Sequence, residues 1–298
     1  MIGLKGIFAN RSPFFHIGVF AYFLLMGFLM SATCVFFIMK AGKDSAGLSF
    51  YLMHTTQFVA NIFLFLLPAF GTAYICSRHP AGFLFLKKKP NSKVLLLTVL
   101  MLFLIIPLVD LTTYINLKLQ LPEFMAPVEN WMRATEDSAA KLIEKMLSEE
   151  GILPFITNIF NIGVMAGVTE ELLFRGTLLS IIRKRIKNPH IAIWMVAMIF
   201  SAIHLQFYGF IPRMILGAVL GYMLYWSHSI WVPVLAHFLN NTIIVIANKA
   251  GFFSDKVDNS TFIPAEPSPQ ELILICVISI ACLTGFYFCA KVMQRWKG

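Results

Sequence analysis

Three short segments hold the residues that could do chemistry. The first is Thr169-Glu170-Glu171-Leu172-Leu173-Phe174-Arg175, with three ionisable groups in an otherwise apolar stretch. Read as a helix, it puts Glu171 and Arg175 four apart on one face, where they can pair. Glu170 is rotated by about 100° and lacks that partner. A carboxylate of this kind is suited to accept and hold a proton; the plainer reading is a Glu–Glu–Arg knot that only fixes helix packing. The second segment is Phe200-Ser201-Ala202-Ile203-His204, and the third is His237-Phe238-Leu239-Asn240-Asn241. His237 and Asn241 share a helix face and need a polar partner: each other, a water, a metal or a substrate carbonyl. A carboxylate with a histidine can deprotonate and hold a water. A histidine with an asparagine can donate to a developing oxyanion. No GxSxG nucleophile turn and no HExxH zinc helix occurs. The chemistry that fits is attack of water on a peptide carbonyl.

These groups must be positioned by membrane helices. Of the 298 residues, 58% are apolar and 13% charged, against about 25% charged in an ordinary soluble domain. The mean hydropathy is +0.76. Such a chain cannot cover itself with a polar exterior, which excludes a soluble globular enzyme, a disordered chain and a disulfide-stapled module. A spanning helix takes roughly 20 mostly apolar residues. Eight stretches qualify: 14–38, 51–77, 94–115, 153–180, 190–206, 210–227, 230–248 and 271–290. The fold class expected is all-α, a polytopic bundle of about eight transmembrane helices around an intramembrane polar cavity. The first stretch is too long for a signal-peptide core and reads as a retained helix. Residues 116–152 include Trp131 and an amphipathic stretch from Ser138 to Leu147, an interfacial helix outside the membrane. The division expected is 1–152 (three spans and that segment), 153–250 (a catalytic core) and 251–298 (an outer loop and the last span).

The net charge of +9 follows topology. Basic residues gather at both ends, in 77–93 (Arg78, Lys87, Lys88, Lys89, Lys93) and after the fourth span (Arg183, Lys184, Arg185, Lys187). Acidic residues prevail in 116–152 and 249–271. The positive-inside rule then puts both termini in the cytoplasm, and a nucleic-acid partner drops out. A charge at the centre of a span costs about 2.5–3.5 kcal/mol on insertion scales. Asp110, Glu170, Glu171, Arg175 and Arg213 are so placed, and Arg213 reads as snorkelling at the membrane edge. His16 and His54 lie near span ends and read as interfacial, and the five cysteines as soft packing residues.

EELLFRG (Glu170 to Gly176), FSAIH (Phe200 to His204) and HFLNN (His237 to Asn241) resemble, in order, the EExxxR, FxxxH and HxxxN motifs of the CAAX-protease and bacteriocin-processing family, also called CPBP or Abi. The resemblance covers about 160–250. It implies an intramembrane endopeptidase in an eight-helix bundle. By motif position, Glu170 is the general base acting with His204 on the attacking water. His237 and Asn241 form the oxyanion site, Glu171 and Arg175 a supporting pair, and Phe200 packs the cavity. The resemblance favours a glutamate mechanism without a cofactor; zinc on Glu170, His204 and His237 is the alternative set. The partners implied are the bilayer and a membrane-associated protein or peptide substrate, in a bacterial plasma membrane. A different class of reading also stands: a membrane immunity or scaffold protein, or a proton-coupled transporter, using the same polar cluster.

Overall fold

The computed structural model describes residues 4–41, 50–251, 263–264 and 266–295. The loop holding Lys43 and Asp44, and most of the outer loop 251–270, lie outside the described residues. Among the described residues there are helices and no strands. Seven helices are long and apolar enough to cross a membrane: α1 Pro13–Ala41, α2 Phe50–Cys76, α3 Ser92–Leu117, α5 Ile152–Arg185, α7 Phe210–Ser227, α8 Trp231–Lys249 and α9 Pro269–Arg295. Two others are α4, Ala126–Leu147, and α6, Pro189–Ala202. The chain is an integral membrane protein.

The stretch expected at 190–206 does not make a full span. Asn188 caps the start of α6, accepting from the His190 and Ile191 amides, and Pro189 occupies its first turn. The helix stops after 14 residues, a rise of about 21 Å against a hydrocarbon core of about 30 Å. The chain turns there, with Leu205 in the left-handed region at φ 53°. The side chain of Asn116, at the end of α3, holds this turn from both directions. It donates to the Phe207 carbonyl at 2.9 Å and accepts from the Ile211 amide at 3.0 Å.

Helix α4 covers the same turn. Trp131 meets Phe207 with ring centroids 5.1 Å apart, Arg133 lies over the Tyr208 ring at 4.6 Å, and Glu136 accepts from the Tyr208 amide at 3.2 Å. Glu129 accepts from Arg133 at 2.6 Å and from the Leu121 amide at 3.0 Å. Those bonds hold the Glu129 carboxyl below its ordinary range.

Helix α5 is the axis of the bundle. One side faces α2 and the other faces α8, with α6 and α7 against its second half. α3 packs on α7 and α8, α9 on α3, and α1 on α2. The lipid-facing helices show their apolar side chains outward, among them Phe28 and Phe36 on α1 and Ile273 and Ile280 on α9. α2 and α5 run in the same direction, since Asn161 bonds to His54 and Thr177 reaches the Ala69 carbonyl at nearly the same offset.

Both central helices contain wide turns of π type, at Ile62–Leu66 in α2 and at Ile159–Met165 and Leu172–Leu178 in α5. A π-type turn frees backbone carbonyls and re-aims the side chains around it, and such turns gather at functional sites. Glycines permit the close approaches. A Cβ on Gly167 would come within 3.1 Å of the Phe238 amide, and one on Gly217 within 3.3 Å of the Arg175 guanidinium.

Candidate active site

Glu170 and Glu171 occupy a short α-helical interval, Ala166–Glu171, between the two wide turns of α5. Adjacent in sequence, they meet different surroundings. Glu171 is 0% exposed. Its Oε1 accepts from Arg175 Nη1 at 2.7 Å and from His237 Nδ1 at 2.8 Å. The i, i+4 pair expected from the sequence is therefore formed, inside the bundle and not at its surface. Glu170 keeps 13% of its side chain exposed, and its Oε2 lies 3.9 Å from His237 Nε2. His237 thus stands between the two carboxylates, bonded to Glu171 and 3.9 Å from Glu170.

Arg175 is equally buried. Besides Glu171 it donates from Nη2 to the Gly217 carbonyl at 3.0 Å, and it stacks over the Phe200 ring at 4.5 Å. A cation–π contact in a desolvated site is worth roughly 2 kcal/mol. Phe200 is the hub expected of it: its ring also meets Phe174 at 5.2 Å, His204 at 4.9 Å and His237 at 6.1 Å. His204 follows the end of α6. Its Nδ1 donates to the Phe200 carbonyl at 2.7 Å, which leaves Nε2 as the acceptor of a neutral ring.

His237 and Asn241 both point from α8 to α5, yet they take separate partners. Asn241 Nδ2 donates to the Ile162 carbonyl at 2.8 Å, within the first wide turn of α5, and its Oδ1 accepts from Asn240 at 3.3 Å. One amide N–H of Asn241 is thus engaged in joining the helices and the other is left over. Glu170, Glu171, Arg175, His237 and Phe200 come together directly. His204 joins through Phe200, and Asn241 lies one turn further along α8.

The sequence reading missed two things. One is the set of partners of Arg213. Arg213 is half-buried, donates to Gln206 Oε1 at 2.6 Å, and lies within electrostatic reach of Glu170, Glu136 and His204. A hydropathy trace shows a charge near a span end but not that α6 stops short and brings the 203–209 turn inward. The other is that His16 and His54 are buried within the protein. The asparagines facing His54 across the bundle are the signal that could have found it.

Among the described residues no three His, Cys, Asp or Glu side chains form a group that could hold an ion. Glu171 and the Phe200 carbonyl each engage Nδ1 of one histidine, which leaves Nε2 of both open.

Residues 152–243, which contain all of these groups, match the family of type II CAAX prenyl endopeptidases described as Rce1-like. The match falls on the segment that carries the three motifs. A curated relative, the uncharacterized protein YpbD of Bacillus subtilis (strain 168), is 29% identical over 122 residues, which are 39% of this chain and 60% of the relative. The chain thus spans about 60% of the length of the curated relative it matches. No solved structure matches it.

Proposed function

We propose that the protein is an intramembrane endopeptidase that hydrolyses a peptide bond of a membrane-associated protein or peptide. The observation that carries this reading is the 3.9 Å between Glu170 Oε2 and His237 Nε2. That gap is too long for a hydrogen bond. A water bonded to both groups at about 2.8 Å spans roughly 4 Å when its two bonds make a right angle. The family match over 152–243 supports the reaction class.

In this mechanism Glu170 takes a proton from the water as its oxygen bonds to the scissile carbonyl carbon. His204 Nε2 accepts the second hydrogen bond of that water and orients it. The carbonyl oxygen becomes an oxyanion that accepts from the spare N–H of Asn241 and from Nε2–H of a His237 carrying both ring protons, its Nδ1–H staying on Glu171. The carbon–nitrogen bond then breaks, and Glu170 returns its proton to the leaving amine. Glu171 holds His237 by Nδ1 as an orienting carboxylate, and Arg175 balances the charge of Glu171. No cofactor is required; zinc on Glu170, His204 and His237 is the alternative that a chelator tests. The orientation proposed is both termini in the cytoplasm of a bacterial plasma membrane, from the distribution of Lys and Arg.

The test is cleavage of membrane-reporter peptides by purified protein in detergent, comparing the native chain with Glu170→Gln, each with and without a strong chelator. Cleavage lost in the variant and kept with chelator supports the glutamate mechanism. Cleavage lost with chelator and restored by zinc replaces it with the metal one. A well-folded native chain that cleaves nothing, at the same rate as Glu170→Gln, favours the immunity, scaffold or transporter reading.

A further inference from the structure

Hydrolysis consumes one water per turnover, and the site lies inside a helix bundle in lipid. A second buried polar feature leads to it. On α2, His54, Gln57 and Asn61 follow one another at three- and four-residue spacing, on one helix face. Across the seam on α5 stand Asn158, Asn161 and Thr169. His54, Asn61, Asn158, Asn161 and Thr169 are each more than nine-tenths buried.

These groups are incompletely bonded. Asn161 Nδ2 donates to His54 Nδ1 at 3.0 Å, so the neutral ring carries its proton on Nε2. The His54 ring also has the Met146 carbonyl and the Asn158 side chain as hydrogen-bonding neighbours. Gln57 Oε1, Asn61 Nδ2, Asn161 Oδ1 and Thr169 Oγ1 have no hydrogen-bond partner among the described residues. An orphaned polar group in lipid costs several kcal/mol, and packing alone would not gather four. The orphans include donors and acceptors, which matches what water offers.

The seam has a mouth and an end. At the α4 side of the bundle Asn158 lines a recess of about 10 Å³ together with Glu149, Asn248 and Lys249, close to the room that one water needs. At the other end, the offset between α2 and α5 puts Asn61 level with Thr169, beside the Glu170–Glu171 pair. Asn158 and Glu170 are about 18 Å apart along the helix axis. We propose that this seam is a water-binding path that carries water from the α4 face to Glu170. Its purpose rests on the hydrolytic reading; its hydration does not.

The experiment is X-ray hydroxyl-radical labelling of the full chain in detergent, read by mass spectrometry at His54, beside cleavage kinetics and thermal unfolding. Radicals born from bound water oxidise the side chains next to it. We expect His54 to take up label despite its burial, and Asn158→Leu at the mouth to slow that labelling about fivefold. The same variant should lower kcat about tenfold with KM unchanged, in protein that remains folded. Unlabelled His54 in folded native protein overturns the path. So does labelling that Asn158→Leu leaves unchanged, or a variant whose kcat loss follows its loss of folded protein. Should Asn158→Leu not fold, Asn161→Leu is read in its place. Labelling that Asn158→Leu blocks, in a chain that cleaves nothing, refutes the hydrolytic reading and leaves the hydrated seam standing.

Discussion

Arg175→Met should unfold the protein early, and the size of the effect can be worked from its contacts. The substitution fills most of the volume and removes three interactions: the bond to Glu171, the bond to the Gly217 carbonyl and the stacking on Phe200. Breaking a buried pair by removing one partner costs about 3–5 kcal/mol. An orphaned carbonyl adds about 1–3 kcal/mol. The terms share atoms and do not add fully, and His237 still holds Glu171, so the net loss is taken as about 4 kcal/mol. For a chain of this length each kcal/mol moves the melting temperature by roughly 2 °C, giving a drop of about 8 °C. The assay is thermal unfolding in detergent, followed by the fluorescence of the five tryptophans. Adding Glu171→Gln to Arg175→Met removes the stranded charge, so the double variant should melt above Arg175→Met alone. An Arg175→Met protein that melts within about 2 °C of the native chain, or a double variant that loses the sum of both single losses, refutes the reasoning.

Glu170→Gln should abolish turnover while the melting curve stays in place, because its carboxylate closes no bond that holds helices together; a curve shifted with Arg175→Met would make Glu170 structural instead. Asn241→Ala should lower kcat by about 10²–10³, the range for one oxyanion donor. It should also melt slightly early, since it releases the Ile162 carbonyl; unchanged kcat in folded protein removes Asn241 from the site. Gly27→Ala should destabilise the fold by about 1–3 kcal/mol, as overpacking does, because a Cβ there runs into the Phe63 carbonyl at the wide turn of α2; native-like unfolding of that variant would contradict the close α1–α2 approach. The Glu129 carboxyl, depressed by Arg133 and the Leu121 amide, stabilises the start of α4 fully above the unfolded carboxylate pKa of about 4.3. That contribution is lost as pH falls through the lower folded value. Hydrogen exchange of 121–130 should therefore be slower in the native chain than in Glu129→Gln at pH 6, and the two should converge near pH 3.

The parts of the fold legible in the sequence were those written in hydropathy. Seven stretches of apolar residues are helices close to the expected bounds, because lipid leaves no other way to satisfy the backbone. α6 was read too long: its apolar run continues through Ile203 and Leu205, but the helix ends at Ala202, where Asn116 and α4 take the backbone groups of the turn. Those partners are far away in sequence, so no local pattern shows them. The Glu171–Arg175 pair was legible because helical spacing alone brings it together. The division of His237 and Asn241 between Glu171 and the Ile162 carbonyl was not, because it depends on a wide turn in a different helix. The partners of Arg213 and of His54 were not legible, for a common reason. Each lies near the end of its apolar stretch, and sequence distance from a span end does not report what stands opposite.

Two adjacent glutamates have different surroundings because a regular helix turns them about 100° apart, and the wide turns on either side supply partners. Here Ala166–Glu171 is bounded on both sides by turns that re-aim the neighbouring faces. The turn before it yields the Ile162 carbonyl to Asn241, and the turn after it contains Arg175. One helix thus provides a carboxylate held through one oxygen by two donors and a nearly free one, and His237 measures the difference between them: 2.8 Å to Glu171 and 3.9 Å to Glu170. A catalytic base has to exchange its proton and a positioning group has to keep its bonds. Exchanging the two environments should therefore be more damaging than neutralising either residue. Glu171→Gln keeps a hydrogen-bond acceptor for His237 and Arg175 and should retain measurable turnover. Glu170→Gln loses the carboxylate that takes the proton from water and should retain none. Equal residual activity in the two variants would mean that the carboxylates are interchangeable and that the asymmetry has no chemical use.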